Sequence, residues 1–175
     1  FRTVSIDGRI PFRELAAYPI GYAGDWQAVV LADGDGRPYE MELTQGKHTL
    51  ALESTYEPFA PIRLELDRLA QRLGDQYERL RQATGNRIDL FRVWRVEEEL
   101  PGLAEALAML RKELSTLEAR MKAVNGERDN VSQSIRAVAE DIGKLLRKPD
   151  EIPYHMAEFS SMQSKLEQQR EDLAE

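Results

Sequence analysis

The chain has 175 residues and a net charge of -7, and 42% of its residues are hydrophobic and 31% charged. This balance is typical of a folded helical protein and argues against a disordered chain. No run of 18 apolar residues occurs, so the sequence predicts no membrane span. Neither the part of the chain before Pro61 nor the part after it is basic. This disfavours nucleic acid as a partner, because phosphates bind clustered Lys and Arg.

Cysteine is absent, which excludes disulfides and thiolate chemistry and is compatible with an exported or a cytosolic protein. The sequence begins at Phe1, within a predicted strand, and ends at Glu175, within a predicted helix. It contains no signal-peptide pattern. We therefore expect it to be a fragment of a longer protein, from which a signal segment could have been removed.

Residues 1–60 are predicted to form a small β region, as a partial sandwich or as hairpins. The apolar run at 26–31 predicts a buried strand, and Asp7-Gly8 predicts a tight turn. Apolar and polar residues alternate at 39–43 and again at 47–53, which predicts a hairpin between these segments. So few strands leave open sheet edges, which another part of the protein or a second copy could complete.

Residues 61–175 are predicted to form a helical bundle, because apolar residues recur at steps of three and four. The first helix ends at Gly85, a residue type that favours helix ends. The acidic residues 97–99 and Pro101 predict the start of the next long helix, and 87–96 fits either a short helix or an extended link. That helix carries a heptad seam of period 3.5. The seam residues are Leu100, Leu103, Leu107, Leu110, Leu114, Leu117, Met121 and Val124.

A second seam and a last helix complete the predicted bundle. The second seam contains Val131, Ile135, Val138, Ile142 and Leu145, and the last helix contains Met156, Phe159, Met162, Leu166 and Leu173. The loops at 126–130 and 148–153 are short, so neighbouring helices are antiparallel. The predicted fold is α+β, mainly α, an antiparallel three- to four-helix bundle with a small N-terminal antiparallel β region. An intermolecular coiled coil is the alternative use of the seams.

The sequence contains no recognisable catalytic or metal-binding motif. His48 and His155 are its two histidines, and neither has a second ligand at helical spacing. The acidic segment 33–36 fits a turn better than a calcium loop, because Arg37 and Thr44 occupy positions that need oxygen ligands. Nucleotide-binding loops and the nucleophile elbow are also missing. The sequence therefore predicts no metal, no cofactor and no enzyme activity.

Aromatic residues are concentrated in the β region, and three are candidate ligand-binding residues: Tyr22, Trp26 and Tyr39. In a sugar-binding sandwich, exposed rings stack on the C–H faces of pyranoses. Aromatic side chains more often pack in a core. The apolar run around Trp26 favours a core position for that residue, and an exposed lectin-like face is the alternative.

A series of short motifs runs along the chain in a fixed order. The motifs are Asp7-Gly8, Pro11-Phe12, Gly46-Lys47-His48-Thr49-Leu50, Pro58, Pro61, Thr84-Gly85, Asp89, Arg92-x-Trp94 and Pro149-Asp150-x-Ile152-Pro153. This series resembles a segment of the large extracellular solute-binding proteins of ABC-type transporters in Gram-positive bacteria. One position departs from the family pattern, since Val93 stands where the family has Asp.

The resemblance implies an accessory region of β-sandwich and helices, joined in that family to a two-lobed α/β binding fold. That two-lobed fold is not visible in this sequence, so the main solute site is expected to lie outside it. The resemblance also implies a non-catalytic module of an ABC importer, extracellular and attached to the cell surface. Its expected partners are carbohydrate or transporter subunits.

The alternative is a helical protein-interaction or structural module with no small-molecule ligand, which would expose an apolar stripe. Oligomers that form through β edges or through helices are compatible with both hypotheses.

Overall fold

The structure is a computed structural model that describes residues 1–21, 24–85, 88–126 and 129–173. It divides into two compact units, Phe1–Pro58 and Phe59–Glu175. The first unit contains a small antiparallel sheet, and the second contains the helices. The predicted fold class, α+β and mainly α, is confirmed.

The sheet of the first unit pairs strand β1 (Arg2–Ile6) with strand β2 (Leu50–Ser54) in antiparallel register. Val4 of β1 lies opposite Leu52 and is fully buried. A 3₁₀ segment, Arg13–Ala17, packs on β1 and contributes a second buried apolar residue to this small core.

The predicted Asp7-Gly8 turn follows β1 directly. The N–H of Ile6 donates to the carbonyl of Arg9 (2.8 Å), and the N–H of Arg9 donates back to the carbonyl of Ile6 (2.9 Å). Asp7 and Gly8 both have positive φ angles, 52° and 75°. This is the geometry of a two-residue type I′ turn, which Asp-Gly adopts at low cost.

The predicted hairpin between 39–43 and 47–53 is wrong. Residues 39–43 form no strand, and the partner of β2 is β1, which lies far away in the sequence. Alternation of apolar and polar residues indicates two faces of a strand, but it does not specify which strand is the neighbour. Val4 and Ile6 provide the apolar face opposite β2, and that pairing is non-local.

The apolar run 26–31 is not the predicted buried strand. Trp26 is fully exposed, and Val29 and Val30 are 44% and 67% exposed. The segment is held instead by the Tyr18 hydroxyl, which donates to the carbonyl of Val30 (3.4 Å) and accepts from the N–H of Ala32 (3.1 Å). A short apolar run does not form a strand where no neighbouring strand satisfies its backbone.

The second unit contains five α-helices within its described residues. They are α1 (Ala60–Thr84), α2 (Val96–Glu99), α3 (Leu103–Asn125), α4 (Asn130–Leu145) and α5 (Met156–Asp172). A 3₁₀ segment, Pro149–His155, connects α4 to α5. The four long helices form a ring, in which α1 and α4 each pack on both α3 and α5.

Ion pairs and hydrogen bonds between the helices show that α1 is antiparallel to α3 and to α5. They also show that α3 is antiparallel to α4, through the pairs Glu118 with Arg136 and Asn125 with Asp129. Arg72 of α1 bonds to Glu113 of α3 (2.5 Å), whereas Arg79, farther along α1, donates to the carbonyl of Pro101 just before α3 (3.1 Å). Helices α1 and α5 are antiparallel by the same argument. Asp67 near the start of α1 pairs with Arg170 near the end of α5, and Thr84 at the end of α1 bonds to Met156 at the start of α5. This is the up-down-up-down arrangement of a four-helix bundle.

The two predicted seams form the core of the bundle. The seam residues that are buried in α3 and α4 are Leu103, Leu107, Leu110, Leu114, Leu117, Met121, Val131, Ile135, Val138, Ile142 and Leu145. Their residue spacing places them on one side of each helix, where they face the neighbouring helices. Val124 is only half-buried, at the end of α3. The seams therefore satisfy each other within one chain, as predicted.

The heptad helix begins later than predicted. Val96–Glu99 forms its own one-turn helix, and Leu100 is buried outside any helix. Pro101 disfavours a helical conformation at the residue before it, and Gly102 adopts a left-handed conformation with φ 78°. The acidic residues therefore begin α2 rather than α3.

The loop between α3 and α4 includes residues 127 and 128, which lie outside the described residues. Asp129 caps α4, since its carboxylate accepts from the N–H of Ser132 (2.6 Å) and from the side-chain amide of Asn125 (2.8 Å). The bond from Ser132 satisfies one of the free N–H groups at the start of α4, and the bond from Asn125 ties the end of α3 to that start.

Candidate functional site

Two of the motifs singled out in the sequence meet at one corner of the bundle. The carboxylate of Asp150 accepts a hydrogen bond from the N–H of Val96 (2.8 Å), and the hydroxyl of Tyr154 donates to the carbonyl of Arg92. Trp94 and Ile152 are both buried. The 3₁₀ segment Pro149–His155 therefore fixes the connection between α1 and α3.

Arg92 is held in place at this corner from two sides. Its guanidinium lies 3.8 Å from the centre of the Trp94 ring, and it also pairs with Glu99. The first contact is a cation–π interaction, which fixes a planar guanidinium well. The indole N–H of Trp94 is buried and has no hydrogen-bond partner among the described residues.

The same connection exposes three apolar side chains, which we call the apolar ridge: Leu90, Phe91 and Val93. They are 74%, 96% and 84% exposed. The N–H of Phe91 donates to the carboxylate of Asp89 (2.9 Å), which fixes the backbone of the ridge. Contiguous exposed apolar side chains of this kind mark surfaces that contact other molecules.

A groove of about 310 Å³ lies between α1 and α3. Its lining is mixed, with Met109 and Leu117 beside charged side chains. Glu113, one of these charged residues, already pairs with Arg72 (2.5 Å) and with Arg68 (3.6 Å). This carboxylate is therefore neutralised within the bundle.

The first unit contains a network around Asp7. One carboxylate oxygen accepts from the N–H of Thr49 (2.8 Å), and the other lies 2.6 Å from Nδ1 of His48. Nε2 of His48 lies 2.7 Å from the carbonyl of Thr44. Both ring nitrogens thus face oxygen acceptors, and only an imidazolium can donate to both.

The electrostatics of the pair agree with this geometry. The hydrogen bond to Asp7 is the main cause that raises the pKa of His48 above its ordinary value of 6.5, and the bond to the Thr44 carbonyl adds to it. The hydrogen bond from His48 is the main cause that lowers the pKa of Asp7, followed by the bond from Thr49. The pair therefore ties the segment before β2 to the turn after β1.

An open groove of about 590 Å³ lies beside this network in the first unit. Phe12 and Met41 provide apolar surface, and Asp7, Glu40 and Glu42 provide carboxylates. A groove with both kinds of group can contact the apolar and the hydroxyl faces of a polar organic ligand.

The described residues contain no group of three or more His, Cys, Asp or Glu side chains that could hold a metal ion. The candidate calcium segment is a turn, in which Asp33 accepts from the N–H groups of Asp35 and Arg37 (2.9 Å each). In the same described ranges, no helix has the length and apolar character that crossing a membrane requires.

A comparison with protein families finds a match to the bacterial solute-binding protein, 4-helix bundle domain, over residues 61–174. The match covers more than half of the chain and coincides with the ring of four long helices. The chain belongs to this family. Comparisons with curated proteins and with solved structures find no significant match.

The three candidate ligand residues lie before the matched segment and have different surroundings. Trp26 is fully exposed, so the predicted core position is wrong for it. Tyr39 is half-buried and stacks on Phe12 with ring centres 4.5 Å apart. Its hydroxyl has no partner among the described residues, and burial is the main cause that raises its pKa. Tyr22 lies outside the described residues.

The sequence alone did not reveal two features of the structure. His48 lies within the predicted strand segment 47–53, but in the structure it precedes β2 and pairs with Asp7. Nothing local signals a contact between residues 41 positions apart. The second feature is the exposure of the apolar ridge. The sequence shows that this segment is apolar, but periodicity does not distinguish an exposed apolar loop from a buried one.

Proposed function

We propose that the chain is a non-catalytic, extracellular module of the solute-binding protein of an ABC importer that is linked to carbohydrate uptake. The observation that carries this proposal is the family match over the four long helices. The order of short motifs, including Arg92-x-Trp94 and the segment 149–153, supports the transporter context. We further propose that residues 1-60 and 61-175 act as separate domains of a surface-attached protein.

The proposed ligand-binding residues are Trp26, Tyr39 and Tyr22, all in the first unit. The exposed indole of Trp26 supports this proposal, because an unpacked aromatic face is available to stack on a sugar ring. Carboxylates such as Glu40 and Glu42 in the groove of that unit are acceptors for sugar hydroxyl groups.

Tryptophan fluorescence tests the carbohydrate proposal directly. The chain has two tryptophans, and Trp94 is buried, so the solvent-exposed and red-shifted emission comes from Trp26. Titration with malto-, cello- and xylo-oligosaccharides is expected to give a saturable blue shift with at least one of them. Trp26→Ala is expected to abolish the heat of binding in calorimetry.

Phe91→Ala is the matched control, because Phe91 is an equally exposed aromatic residue in the other unit. It is expected to bind the sugar like the wild type. No shift and no heat with any of these oligosaccharides would contradict the assignment of carbohydrate to this chain.

The transporter context is tested by the full-length gene that contains this sequence. A signal or lipoprotein start together with a two-lobed α/β domain is the expected result. A reading frame with neither feature would overturn the importer proposal, whatever the outcome of the sugar titration.

A helical protein-interaction module is a second candidate, and the apolar ridge favours it. Leu90, Phe91 and Val93 expose apolar surface that a protein partner would bury. This candidate predicts that the chain binds the membrane subunits of an importer encoded beside the same gene, and that Phe91→Ser weakens this binding. Equal binding by the wild type and Phe91→Ser would exclude a role for the ridge.

A further inference from the structure

Strand β2 is an edge strand. Within the described residues the sheet contains β1 and β2 alone, and β1 is bonded on both of its sides. The side of β1 that faces away from β2 is covered by the bridges from Arg2 to Tyr18 and from Ile6 to Arg9. The outer side of β2 pairs with no described residue. An open edge of this kind is a template for another strand.

The hydrogen bonds at the ends of the sheet show which residues of β2 point outward. The N–H of Asp7 donates to the carbonyl of Thr49 (2.9 Å), and the N–H of Thr55 donates to the carbonyl of Phe1 (3.2 Å). In an antiparallel pair, residues bonded to the partner alternate with residues that point away. The backbone N–H and C=O groups of Ala51 therefore point toward β1. The residues whose backbone N–H and C=O groups point away from β1, toward the open edge, are Leu50, Leu52 and Ser54.

The outer edge also carries exposed apolar side chains. Leu50 and Leu52 are 58% and 52% exposed. They lie directly opposite Ile6 and Val4 of β1, so all four side chains share one face of the sheet. Val4 is fully buried, and the apolar face thus continues from the core to the open edge.

We propose that this edge binds the same edge of a second copy of the chain, in an antiparallel β2–β2 pair. With Leu52 opposite Leu52 of the second copy, Leu50 lies opposite Ser54. All three outward-pointing residues then exchange N–H···O bonds with one another, and none is left unpaired at the edge. The product is a four-stranded sheet, and the contact is isologous, with a two-fold axis at Leu52.

The charges of β2 agree with this register. Glu53 is the one charged residue of the strand, and in the proposed pair it lies opposite Ala51 of the second copy. A register shifted so that Glu53 faces itself would place like charges directly opposite each other, which is destabilising. The two-fold register at Leu52 avoids this contact and brings together the exposed leucines.

A charge swap at Leu52 tests the proposal. Wild-type chain is expected to increase in mass with concentration, from 20.0 kDa toward twice that value, in sedimentation velocity. Leu52→Lys and Leu52→Glu are each expected to remain monomeric, because like charges then face each other across the axis. An equimolar mixture of the two variants is expected to dimerise again, since Lys lies opposite Glu.

Leu64→Lys is the control, because Leu64 is an exposed leucine (69%) on α1. It is expected to dimerise like the wild type. Hydrogen exchange adds a register-specific readout, in which the amides of Leu50, Leu52 and Ser54 gain protection as concentration rises. A wild-type chain that stays monomeric, or single variants that dimerise like the wild type, would overturn the proposal, and the edge would then be open to a segment of another protein.

Discussion

At the scale of single residues, the contact between Asp7 and His48 organises the first unit. Asp7 adopts a left-handed conformation that Asp tolerates in a turn before Gly, and its carboxylate then reaches both the N–H of Thr49 and the ring of His48. One side chain thus connects the turn after β1 to the residue before β2. The short sheet is held in register at this end by a side chain as well as by its backbone.

We expect a raised pKa for His48 in the folded protein. Because its folded pKa lies above the ordinary 6.5, the contact stabilises the fold fully below pH 6.5, and this contribution is lost as the pH rises through the folded pKa. The pKa of Asp7 is lowered, so its contribution is present above 3.8 and is lost as the pH falls through its folded pKa. The contact therefore contributes fully between pH 3.8 and pH 6.5 and weakens on either side of that window.

Proton NMR measures this pKa. The variant His155→Gln leaves His48 as the single histidine, so its ring signal is assigned without ambiguity. We expect a titration midpoint above 6.5, and a lower midpoint after the additional change Asp7→Asn. A midpoint at or below 6.5 in His155→Gln would show that the contact is not formed in solution.

At the scale of elements, the stability of the bundle depends on the seams of α3 and α4. Leu110 is 1% exposed in the middle of α3, whereas its neighbour Met109 is 53% exposed. Partly buried ion pairs flank the seam. Burial raises the pKa of Glu118, but hydrogen bonds from Arg136 and Lys122 outweigh this effect, and the net pKa is lowered. The apolar seam and its charged border therefore act on the same pair of helices.

We expect Leu110→Ala to lower the free energy of unfolding by roughly 2–5 kcal/mol, because it removes apolar contacts and leaves a cavity in the core. Urea denaturation followed by circular dichroism measures the change. Met109→Ala, on the exposed side of the same turn, is expected to change stability by less than about 0.5 kcal/mol. Equal effects of the two substitutions would mean that the assignment of the seam to the core is wrong.

The elements also differ in how far local sequence defines them. The helical seams extend over several turns, so each apolar residue supports the same period, and the bounds of α4 and α5 follow the pattern closely. The strands have five residues each, too few for a period to exclude other structures. Pro101-Gly102 is a local exception among the helices, because it separates α2 from α3.

At the scale of the whole molecule, the chain consists of a large helical unit and a small β unit. The ring of four helices buries its own apolar residues, and its helix ends are connected by ordered segments such as Pro149–His155. The first unit has only a two-stranded sheet and few buried residues within its described part. Small sheets of this kind need additional strands or packing for independent stability.

We expect residues 59–175 alone to fold. Their far-UV circular dichroism should show the helical spectrum, and thermal unfolding should give one cooperative transition, because the core of the bundle lies within this segment. The corresponding fragment of residues 1–58 is expected to lack a cooperative transition when dilute. A fragment 59–175 that unfolds without cooperativity would contradict the proposed division into domains.

The sequence by itself determined the helical bundle, its two seams and the Asp7-Gly8 turn, because these depend on contacts within a few residues or on a pattern repeated along a helix. Tertiary structure decided the partner of β2, the exposure of Trp26 and the contact between Asp7 and His48. Each of these depends on which distant segment lies alongside, and the same local pattern is compatible with several neighbours. Tertiary structure also decided that the apolar side chains of the segment 90–93 are exposed to solvent, since apolar character without a period does not specify burial.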